Sequence, residues 1–275
     1  MILSGFLILL TLQTGYAGLK PLEQRTFFFA GLEWEAESSF NKTMNPGQNY
    51  FSSAEDTVWV DRNGWLHLKI HDNGLHSKWS CASIHSTQPV SYGTHRFRVI
   101  GQLGALDKNA VLGLFLYKYD QKALDQHAEI DFEFSTWGFP RKDNHGVWIE
   151  PCSNAQMVLW PSWYGDFSPQ PALVRHYYIH SSQTTMTTHE MQWSHDQVSL
   201  KSFWYHDSPP QEEDLIFSCQ VNSKDNPTVF FPTEDDQMLL NINLWLNDFA
   251  ETTSNKEPLE VIVKYEFLPL SGQKP

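Results

Sequence analysis

Three acidic residues alternate along one short segment of this 275-residue chain. Residues 127–138 read HAEIDFEFSTWG. Because successive side chains of a strand point to opposite faces, Glu129, Asp131 and Glu133 share one face and the apolar residues between them share the other. The segment therefore predicts a strand whose apolar face lies in a core and whose carboxylates lie outside it.

Two interpretations of the acidic face compete. An outward face can be charged for solubility or to block edge pairing. Such faces usually mix signs, since like charges placed close together are destabilising, and no Lys or Arg separates these three acids. Crowded carboxylates can instead keep one carboxyl protonated near neutral pH while its neighbour stays ionised. Composition and spacing leave both interpretations open.

The spacing of Glu129 and Glu133 limits the reaction that such a pair could carry. Positions i and i+4 of a strand lie roughly 13 Å apart at Cα, at about 3.3 Å per residue. Side chains that lean together can bring the carboxyls to the ~5–5.5 Å separation of a retaining glycosidase, whereas an inverting one needs about 6.5–9.5 Å. The spacing favours the retaining geometry.

The composition indicates a neutral partner. The chain has 19 Lys and Arg against 32 Asp and Glu, a net charge of −13, which repels phosphate and sulfate polymers. We therefore expect no nucleic-acid partner. The 11 Trp and 10 Tyr residues could stack on sugar rings, although core packing is the commoner use of any single Trp. A neutral polysaccharide is the partner that this composition favours.

The N-terminus predicts export. Residues 1–12 read MILSGFLILLTL, an apolar run of roughly 11 residues where a bilayer-spanning helix needs about 20. Gly15 and Ala17 are small residues suited to a cleavage site, although the first residues carry no Lys or Arg. We expect a signal peptide over residues 1–17 and one catalytic domain over residues 18–275. The mature protein is then secreted, periplasmic or on the cell surface, with no membrane association and as a monomer.

The cysteines form an odd set, Cys81, Cys152 and Cys219, which allows at most one internal disulfide. Neither they nor the closely spaced histidines have a usual zinc-ligand interval. No metal site and no cofactor is predicted.

Short apolar or alternating runs, bounded by Gly, Pro, Asn and Asp clusters, recur along the chain. No window longer than about ten residues shows a helical period. The runs are Val58–Val60, Trp65–Ile70, His95–Ile100, Val111–Tyr117, Ala155–Trp160, Val198–Trp204, Met238–Trp245 and Val261–Phe267. This pattern predicts a single all-β domain, an antiparallel sandwich of the jelly-roll type.

Residues 129–133, EIDFE, resemble the catalytic strand of glycoside hydrolase family 16, which reads Glu-(Ile/Leu)-Asp-x-Glu. The resemblance covers nearly the whole mature chain, with further family segments in the same order. These segments are Ser91–Arg98, Val111–Tyr117, Glu190–Gln197 and Asn243–Trp245. The resemblance implies a concanavalin A-like jelly roll of two curved antiparallel sheets. It also implies an endo-β-glucanase in which Glu129 is the nucleophile, Glu133 the acid/base and Asp131 the group between them.

The resemblance also implies the substrate-binding residues Asn45, His127, Gln156, Asn243 and Trp245. In the lichenase branch, residues near the positions of Asn45 and Gln156 hydrogen-bond sugar hydroxyls, and Trp245 would be a stacking platform. Asn45 could instead be only the first residue of an Asn-Pro-Gly turn. His127 replaces a Trp of the lichenase branch and looks more like the xyloglucan-acting branch.

Some segments depart from the family. Cys81–His85 keeps the Cys of a lichenase run but loses its acidic and basic residues, and Phe51 occupies the position of the disulfide partner, so Cys81 is expected to be free. Val261–Val263 lacks the Asp that supports a structural calcium ion, so no calcium is predicted. Phe139–Asn154 is longer than the lichenase loop and follows the acidic strand directly. Mixed-linkage or β-1,3-glucan is the expected substrate. A xyloglucan- or galactan-acting hydrolase or transglycosylase and a non-catalytic, lectin-like protein remain alternatives.

Overall fold

The computed structural model describes residues 24–119, 128–142, 145–160, 173–181, 183–225, 231–247 and 250–270. The predicted signal peptide and His127 lie outside these residues. The described part of the chain contains strands and three short 3-10 turns, with no α-helix. No helix within it is long and apolar enough to cross a membrane.

The strands are β1 (Arg25–Phe29), β2 (Leu32–Ala36), β3 (Tyr50–Phe51), β4 (Val58–Val60), β5 (Leu66–Ile70), β6 (Ser80–Ser86), β7 (Gly93–Ile100), β8 (Ala110–Tyr117), β9 (Glu129–Phe134), β10 (Arg141–Lys142), β11 (Trp148–Ile149), β12 (Ala155–Trp160), β13 (Leu173–Tyr177), β14 (Met186–Trp193), β15 (Gln197–Trp204), β16 (Leu215–Asn222), β17 (Leu239–Leu246) and β18 (Leu259–Pro269). The 3-10 turns are Leu103–Ala105, Glu212–Asp214 and Glu234–Asp236.

Most strands belong to two large sheets. The nine-stranded sheet has the order β1-β2-β6-β17-β8-β9-β12-β13, and the short β3 adds to β6 in parallel. The seven-stranded sheet has the order β16-β15-β14-β7-β18-β5-β4. All pairs along these two orders are antiparallel, and β10 and β11 form a separate hairpin. The predicted all-β architecture is confirmed, and each predicted run overlaps a strand.

The two large sheets pack face to face around an apolar core. The rings of Phe132 and Phe134, on β9, lie 5.5 and 4.6 Å from the His189 ring of β14. On the other side of the sandwich, Trp34 of β2 meets Tyr265 of β18 at 6.3 Å. The apolar face of the acidic strand therefore lies in the core, as its alternation predicts, and its carboxylates lie on the opposite face.

Polar groups buried in this core are hydrogen-bonded. His189 bonds to Thr187 at 2.9 Å and to Ser202 at 2.8 Å, and Ser202 also bonds to Tyr177 at 2.8 Å. Burial lowers the pKa of His189 to about 3, so the imidazole is neutral there. This network joins β13, β14 and β15 directly beneath the acidic strand.

The three cysteines are free in the structure. Cys81 is fully buried on β6, and burial raises the pKa of its thiol to about 12. The expectation of a free Cys81 agrees with this arrangement, and Cys152 and Cys219 are not joined to each other either.

Candidate active site

The acidic strand β9 lies inside the nine-stranded sheet, between β8 and β12. Its three carboxylates line a cleft of about 430 Å³ on the face away from the core. Asp131 is only 2% exposed, whereas Glu129 and Glu133 are partly buried. A strand held by hydrogen bonds on both edges is rigid, so the sheet fixes the spacing of the three carboxylates.

A row of polar residues crosses the sheet at the level of Glu133. Directly opposite Glu133 are Gly113 on β8 and Gln156 on β12. Asn243 of β17 is opposite Gly113, and Ser83 of β6 is opposite Asn243. Because directly opposed residues project from the same face of a sheet, these groups share the cleft face with Glu133. Predicted residues that are far apart in the sequence, Glu133, Gln156 and Asn243, are thus brought together.

Glu133 has the environment of a proton donor. Burial and the nearby charge of Glu129 together raise the pKa of its carboxyl to about 7, although a hydrogen bond from Gln156 to Oε2 lowers it. A carboxyl with this pKa is substantially protonated at neutral pH, which is the condition for a general acid.

Gly113 leaves room beside the carboxylates. A Cβ at this position would lie 2.5 Å from Oδ1 of Asn243, so any larger residue would displace the Asn243 side chain. Asn243 is 5% exposed, and its Oδ1 is buried with no hydrogen-bond partner among the described residues. A buried acceptor without a donor is costly, so this oxygen is suited to accept a hydrogen bond from a ligand.

The predicted residues Asn45 and Trp245 both line the cleft, and the turn that contains Asn45 packs against Trp245 through Gly47. Asn45 lines the cleft, and its Oδ1 accepts a 2.7 Å hydrogen bond from Gln48, so its side chain serves both the turn and the cleft. Gly47 has φ +66°, and a Cβ there would lie 2.8 Å from the Trp245 ring, so only glycine allows the turn to pack so closely. Trp245 is 8% exposed and presents a small part of its ring to the cleft.

Sequence reasoning did not select Trp137, which follows the acidic strand. Its ring is 39% exposed and contacts Trp245 edge to face at 6.0 Å between centroids. Its φ of +53° is unusual for a bulky residue. Trp137 therefore offers a larger free aromatic surface than Trp245, and its position four residues after Glu133 was the available signal.

Three aromatic side chains of the cleft were also missed: Phe115 and Tyr117 on β8, and Tyr119 just beyond it. Phe115 and Tyr117 alternate with apolar core residues in the predicted run, so their shared face could have been derived once β8 was placed beside β9. Tyr119 donates a 2.7 Å hydrogen bond to Oδ1 of Asn241.

The long segment Phe139–Asn154 carries the hairpin β10–β11. Val147 and Trp148, in this hairpin, are 60% and 59% exposed, and Lys142 lies over the Trp148 ring at 5.2 Å. The hairpin begins three residues after Gly138, whose amide donates to the Lys108 carbonyl at 2.7 Å. It is thus anchored beside the end of the acidic strand that carries Glu133.

The arrangement supports acid–base and nucleophilic chemistry by carboxylates. Among the described residues, no group of three or more His, Cys, Asp or Glu side chains is placed to hold a metal ion. The components available in the cleft are Glu129, Glu133 with its pKa raised to about 7, a buried Asp131 between them, and amide and aromatic groups around them.

Comparisons with known proteins locate this fold among the β-glucanases. No protein-family model and no curated protein matches the sequence. A β-glucanase of Bacillus licheniformis is similar in structure, with a TM-score of 0.56 at 15% identity over 94% of this chain and 99% of that one.

Two further solved structures are similar to this chain in fold. A β-1,3-1,4-glucanase (lichenase) from a mouse hindgut metagenome gives a TM-score of 0.53 at 13% identity, over 88% of this chain and 95% of that one. An immunostimulatory antigen and pseudo β-1,3-glucanase of Mycobacterium tuberculosis gives a TM-score of 0.56 at 14% identity, over 84% of this chain and 88% of that one. The chain therefore has the jelly-roll fold of the lichenases and β-1,3-glucanases, as its resemblance to glycoside hydrolase family 16 implied.

Proposed function

We propose that this protein is a secreted glycoside hydrolase, a retaining endo-β-glucanase that acts on a neutral mixed-linkage or β-1,3-glucan. The observation that carries the proposal is the pairing of two unlike glutamates on one strand face. Glu133 has a pKa of about 7, raised by burial and by Glu129, inside a cleft that Glu129 also lines. Environments that separate the protonation states of two neighbouring carboxyls assign the acid and the nucleophile.

In the proposed mechanism, the Glu129 carboxylate attacks the anomeric carbon of the bound sugar while Glu133 donates its proton to the departing glycosidic oxygen. This step forms a glycosyl ester on Glu129 and releases the reducing-side part of the chain. Glu133, now ionised, takes a proton from water, whose oxygen attacks the anomeric carbon and breaks the ester. Two inversions give a product with the configuration of the substrate.

Asp131 and Gln156 support this pair. Asp131 lies between the two glutamates on the same face and is almost fully buried, so its carboxyl is held in a fixed position beside both of them. Gln156 donates a hydrogen bond to Glu133, which restricts the orientation of the carboxyl. The hydrogen bond also keeps the pKa of Glu133 from rising beyond the neutral range.

The substrate class follows from the shape and charge of the cleft. It is open along a sheet face lined by carboxylates, amides and aromatic rings, which suits a chain of sugar hydroxyls bound across several strands. Of the described residues that line it, none is Lys or Arg, which disfavours anionic polysaccharides. Such an open groove favours cleavage within a chain over removal of terminal sugars.

A non-catalytic glycan-binding role is the second candidate. It is favoured by one observation, namely that a structurally similar protein of Mycobacterium tuberculosis is described as a pseudo β-1,3-glucanase. Against it stands the intact carboxylate set of this chain, because strongly raised carboxyl pKa values such as that of Glu133 are concentrated at catalytic sites.

A reducing-end assay separates these candidates. Purified protein is incubated with mixed-linkage glucan, β-1,3-glucan, xyloglucan, galactan and xylan, beside a Glu129→Gln variant of matched purity. We expect new reducing ends from a β-glucan with the unmodified protein only. Binding to glucan with no release by either protein would contradict hydrolysis and support the binding role, and a preference for xyloglucan or galactan would correct the substrate.

A further inference from the structure

A polar network lies in the core beneath the acidic strand. The His189 imidazole, on β14, bonds to Thr187 at 2.9 Å and to Ser202 at 2.8 Å. The hydroxyls of Ser202 and Tyr177 lie 2.8 Å apart. We call these four residues the His189 network. All four are buried, and the network connects β14 and β15 of the seven-stranded sheet with β13 of the nine-stranded sheet.

Stability alone does not account for a polar cluster in this position. Taking an imidazole and three hydroxyls out of water is costly, and the hydrogen bonds among them do little more than offset that cost. Apolar side chains of the same shape are often as stable as such a set. A buried network whose members are all hydrogen-bonded does fix one arrangement of the core. The His189 network therefore indicates a requirement for accurate placement of the strands around it.

The imidazole contacts the acidic strand on both sides of Glu133. Phe132 and Phe134 are the neighbours of Glu133 on β9, and their rings lie 5.5 and 4.6 Å from the His189 ring. Because these phenyl rings point into the core, His189 supports the strand from the core side while Glu133 projects into the cleft. The two hydrogen bonds of the imidazole restrict its rotation, so the surface against which both phenyl rings pack is fixed.

The same network fastens β13, the strand at the edge of the nine-stranded sheet. Of the five residues of β13, only Tyr177 is buried, so its side chain is the main attachment of this strand to the core. Its hydroxyl meets Ser202 of the opposite sheet, and its ring stacks on Phe217 of β16 at 4.8 Å between centroids. An edge strand has a neighbour on one side only, so it opens more easily than an interior strand without such an attachment.

Strand β13 borders β12, which carries Gln156. Tyr177 is directly opposite Ala155, the residue before Gln156, and Gln156 is directly opposite Glu133. Gln156 donates a hydrogen bond to Oε2 of Glu133. Because β12 and β13 share a ladder of backbone hydrogen bonds, a shift of β13 displaces β12 and moves the Gln156 amide away from the carboxyl.

We propose that His189 is a positioning residue for Glu133, the acid/base of the proposed reaction. Through the His189 network the imidazole holds β13 in place, and β13 in turn holds the Gln156 amide against the Glu133 carboxyl. This role rests on the proposed function, since it serves proton donation by Glu133. His189 lies on the core side of the sheet, so its effect appears in the orientation and protonation of Glu133 and not in substrate binding.

The titratable groups around this arrangement are known. Burial lowers the pKa of His189 to about 3, with a smaller contribution from His206, so the imidazole stays neutral where Glu133 titrates. The titratable residues that line the cleft with Glu133 are Glu37, Tyr117, Tyr119, Glu129 and Asp131. The variants below change none of these, so an altered titration of Glu133 reports on the network.

The titration of Glu133 tests the role without requiring hydrolysis. The protein is isotope-labelled at the glutamate side-chain carboxyl carbons, and NMR follows the Glu133 resonance, which is identified by its loss in Glu133→Gln. His189→Phe keeps an aromatic ring beneath β9 and removes both hydrogen bonds of the imidazole. Tyr177→Phe is a milder change, because it keeps the ring that stacks on Phe217 and removes only the hydroxyl.

We expect the pKa of Glu133 to rise by about one unit in His189→Phe, the equivalent of one lost hydrogen bond, and by less in Tyr177→Phe. In His189→Phe, kcat on the best glucan should fall about tenfold because the acid is displaced, whereas KM should stay within about twofold. In a protein that already carries Gln156→Leu, His189→Phe should cause no further rise, because the contact through which His189 acts is gone.

His95→Phe is the matched control. His95 is equally buried, and its ring nitrogens bond to the Tyr265 hydroxyl at 2.9 Å and to the Ser91 carbonyl at 3.1 Å. Its ring lies against Tyr265 and Phe267 of β18. The control should lose stability as His189→Phe does and leave the pKa of Glu133 unchanged. An unchanged pKa in both network variants, an equal rise in the control, or a further rise on the Gln156→Leu background overturns the positioning role.

These measurements distinguish failure of the positioning role from failure of the proposed function. If the unmodified protein hydrolyses no glucan, the proposed function fails, and the NMR titration still decides whether His189 positions the Glu133 carboxyl. If the unmodified protein is active and Glu133 titrates identically in every variant, the positioning role is overturned and the proposed function stands.

Discussion

The two large sheets use charge in opposite ways on their outer faces. A row of charged residues with alternating sign crosses the seven-stranded sheet. Each residue is directly opposite the next, in the order Lys201, Glu190, Arg96 and Glu266. Arg96 contacts Glu190 at 2.7 Å and Glu266 at 3.0 Å. Opposite charges directly across a sheet stabilise it, which is the ordinary purpose of a charged outer face.

On the cleft face of the nine-stranded sheet, acids are clustered instead of paired. Glu129, Asp131 and Glu133 share one strand face, and Glu133 has its pKa raised to about 7. A raised pKa means that ionised Glu133 destabilises the folded protein near neutral pH. The comparison indicates that charges paired across strands contribute to stability, whereas the like charges held together on the cleft face do not, which is consistent with the catalytic role proposed for them.

The largest expected effect is a difference in turnover between two glutamate variants, one on the cleft face and one on the outer face of the seven-stranded sheet. Glu129→Gln should lower turnover of the best β-glucan by several orders of magnitude, because the glycosyl ester requires a carboxylate. Glu190→Gln, the matched change on the other sheet, should leave turnover within a few-fold. Initial rates in the reducing-end assay measure both. Comparable rates for the two variants would remove the distinction between the faces.

Asp131→Asn tests whether the middle acid acts chemically. The variant keeps the shape of the side chain and removes its negative charge, so we expect a rate loss of roughly 10²–10⁴-fold. If Asp131 carries a negative charge beside Glu133, Glu133 should lose its proton more easily in the variant, so the basic limb of the pH–rate profile should move to lower pH. A normal rate with an unshifted profile would make Asp131 a structural charge only.

Glu133→Gln should lower the activity and should remove a loss of stability that occurs as the pH rises. The pKa of Glu133 is raised from its ordinary 4.5 to about 7, so its stabilising contribution is complete below pH 4.5 and is lost as pH rises through 7. Between pH 4.5 and pH 8, this group should lower the free energy of unfolding of the unmodified protein by on the order of 3 kcal/mol. The variant should not show this loss. Denaturant unfolding at pH 4.5 and pH 8 measures the difference. A destabilised variant at pH 8 would contradict the raised pKa.

The smallest expected effect concerns the paired face. Glu190→Gln removes a partly buried partner of Arg96, and we expect a loss of about 1 kcal/mol of unfolding free energy, reduced further by added salt. Thermal unfolding at two salt concentrations checks this expectation. If Glu190→Gln also abolished glucan hydrolysis, the outer face of the seven-stranded sheet would have a role beyond stability.

Local alternation was sufficient to predict much of this architecture. The acidic strand, with Phe132 and Phe134 inward and its carboxylates outward, follows from the two-residue period of a strand and agrees with the structure. Strands such as β6 were harder to predict, because Ser80–Ser86 is largely buried and carries small polar residues in place of an alternating pattern.

The contacts that complete the cleft join distant parts of the sequence. Asn243 packs over Gly113, Trp137 meets Trp245, and His85 faces Glu35 only because the strand order brings β17, β8, β6 and β2 together. Spacing within one segment contains no information on that order.

Chemical rescue of a Glu129→Ala variant is the measurement that tests the central claim most directly. The variant lacks the carboxylate and leaves room for azide, which can attack the anomeric carbon from the vacated side. The substrate is the preferred oligosaccharide with an activated aryl leaving group in β linkage. We predict that azide restores turnover and that NMR identifies an α-glycosyl azide. A variant that azide does not rescue, or a β-configured product, would contradict the assignment of Glu129 as the nucleophile of a retaining enzyme.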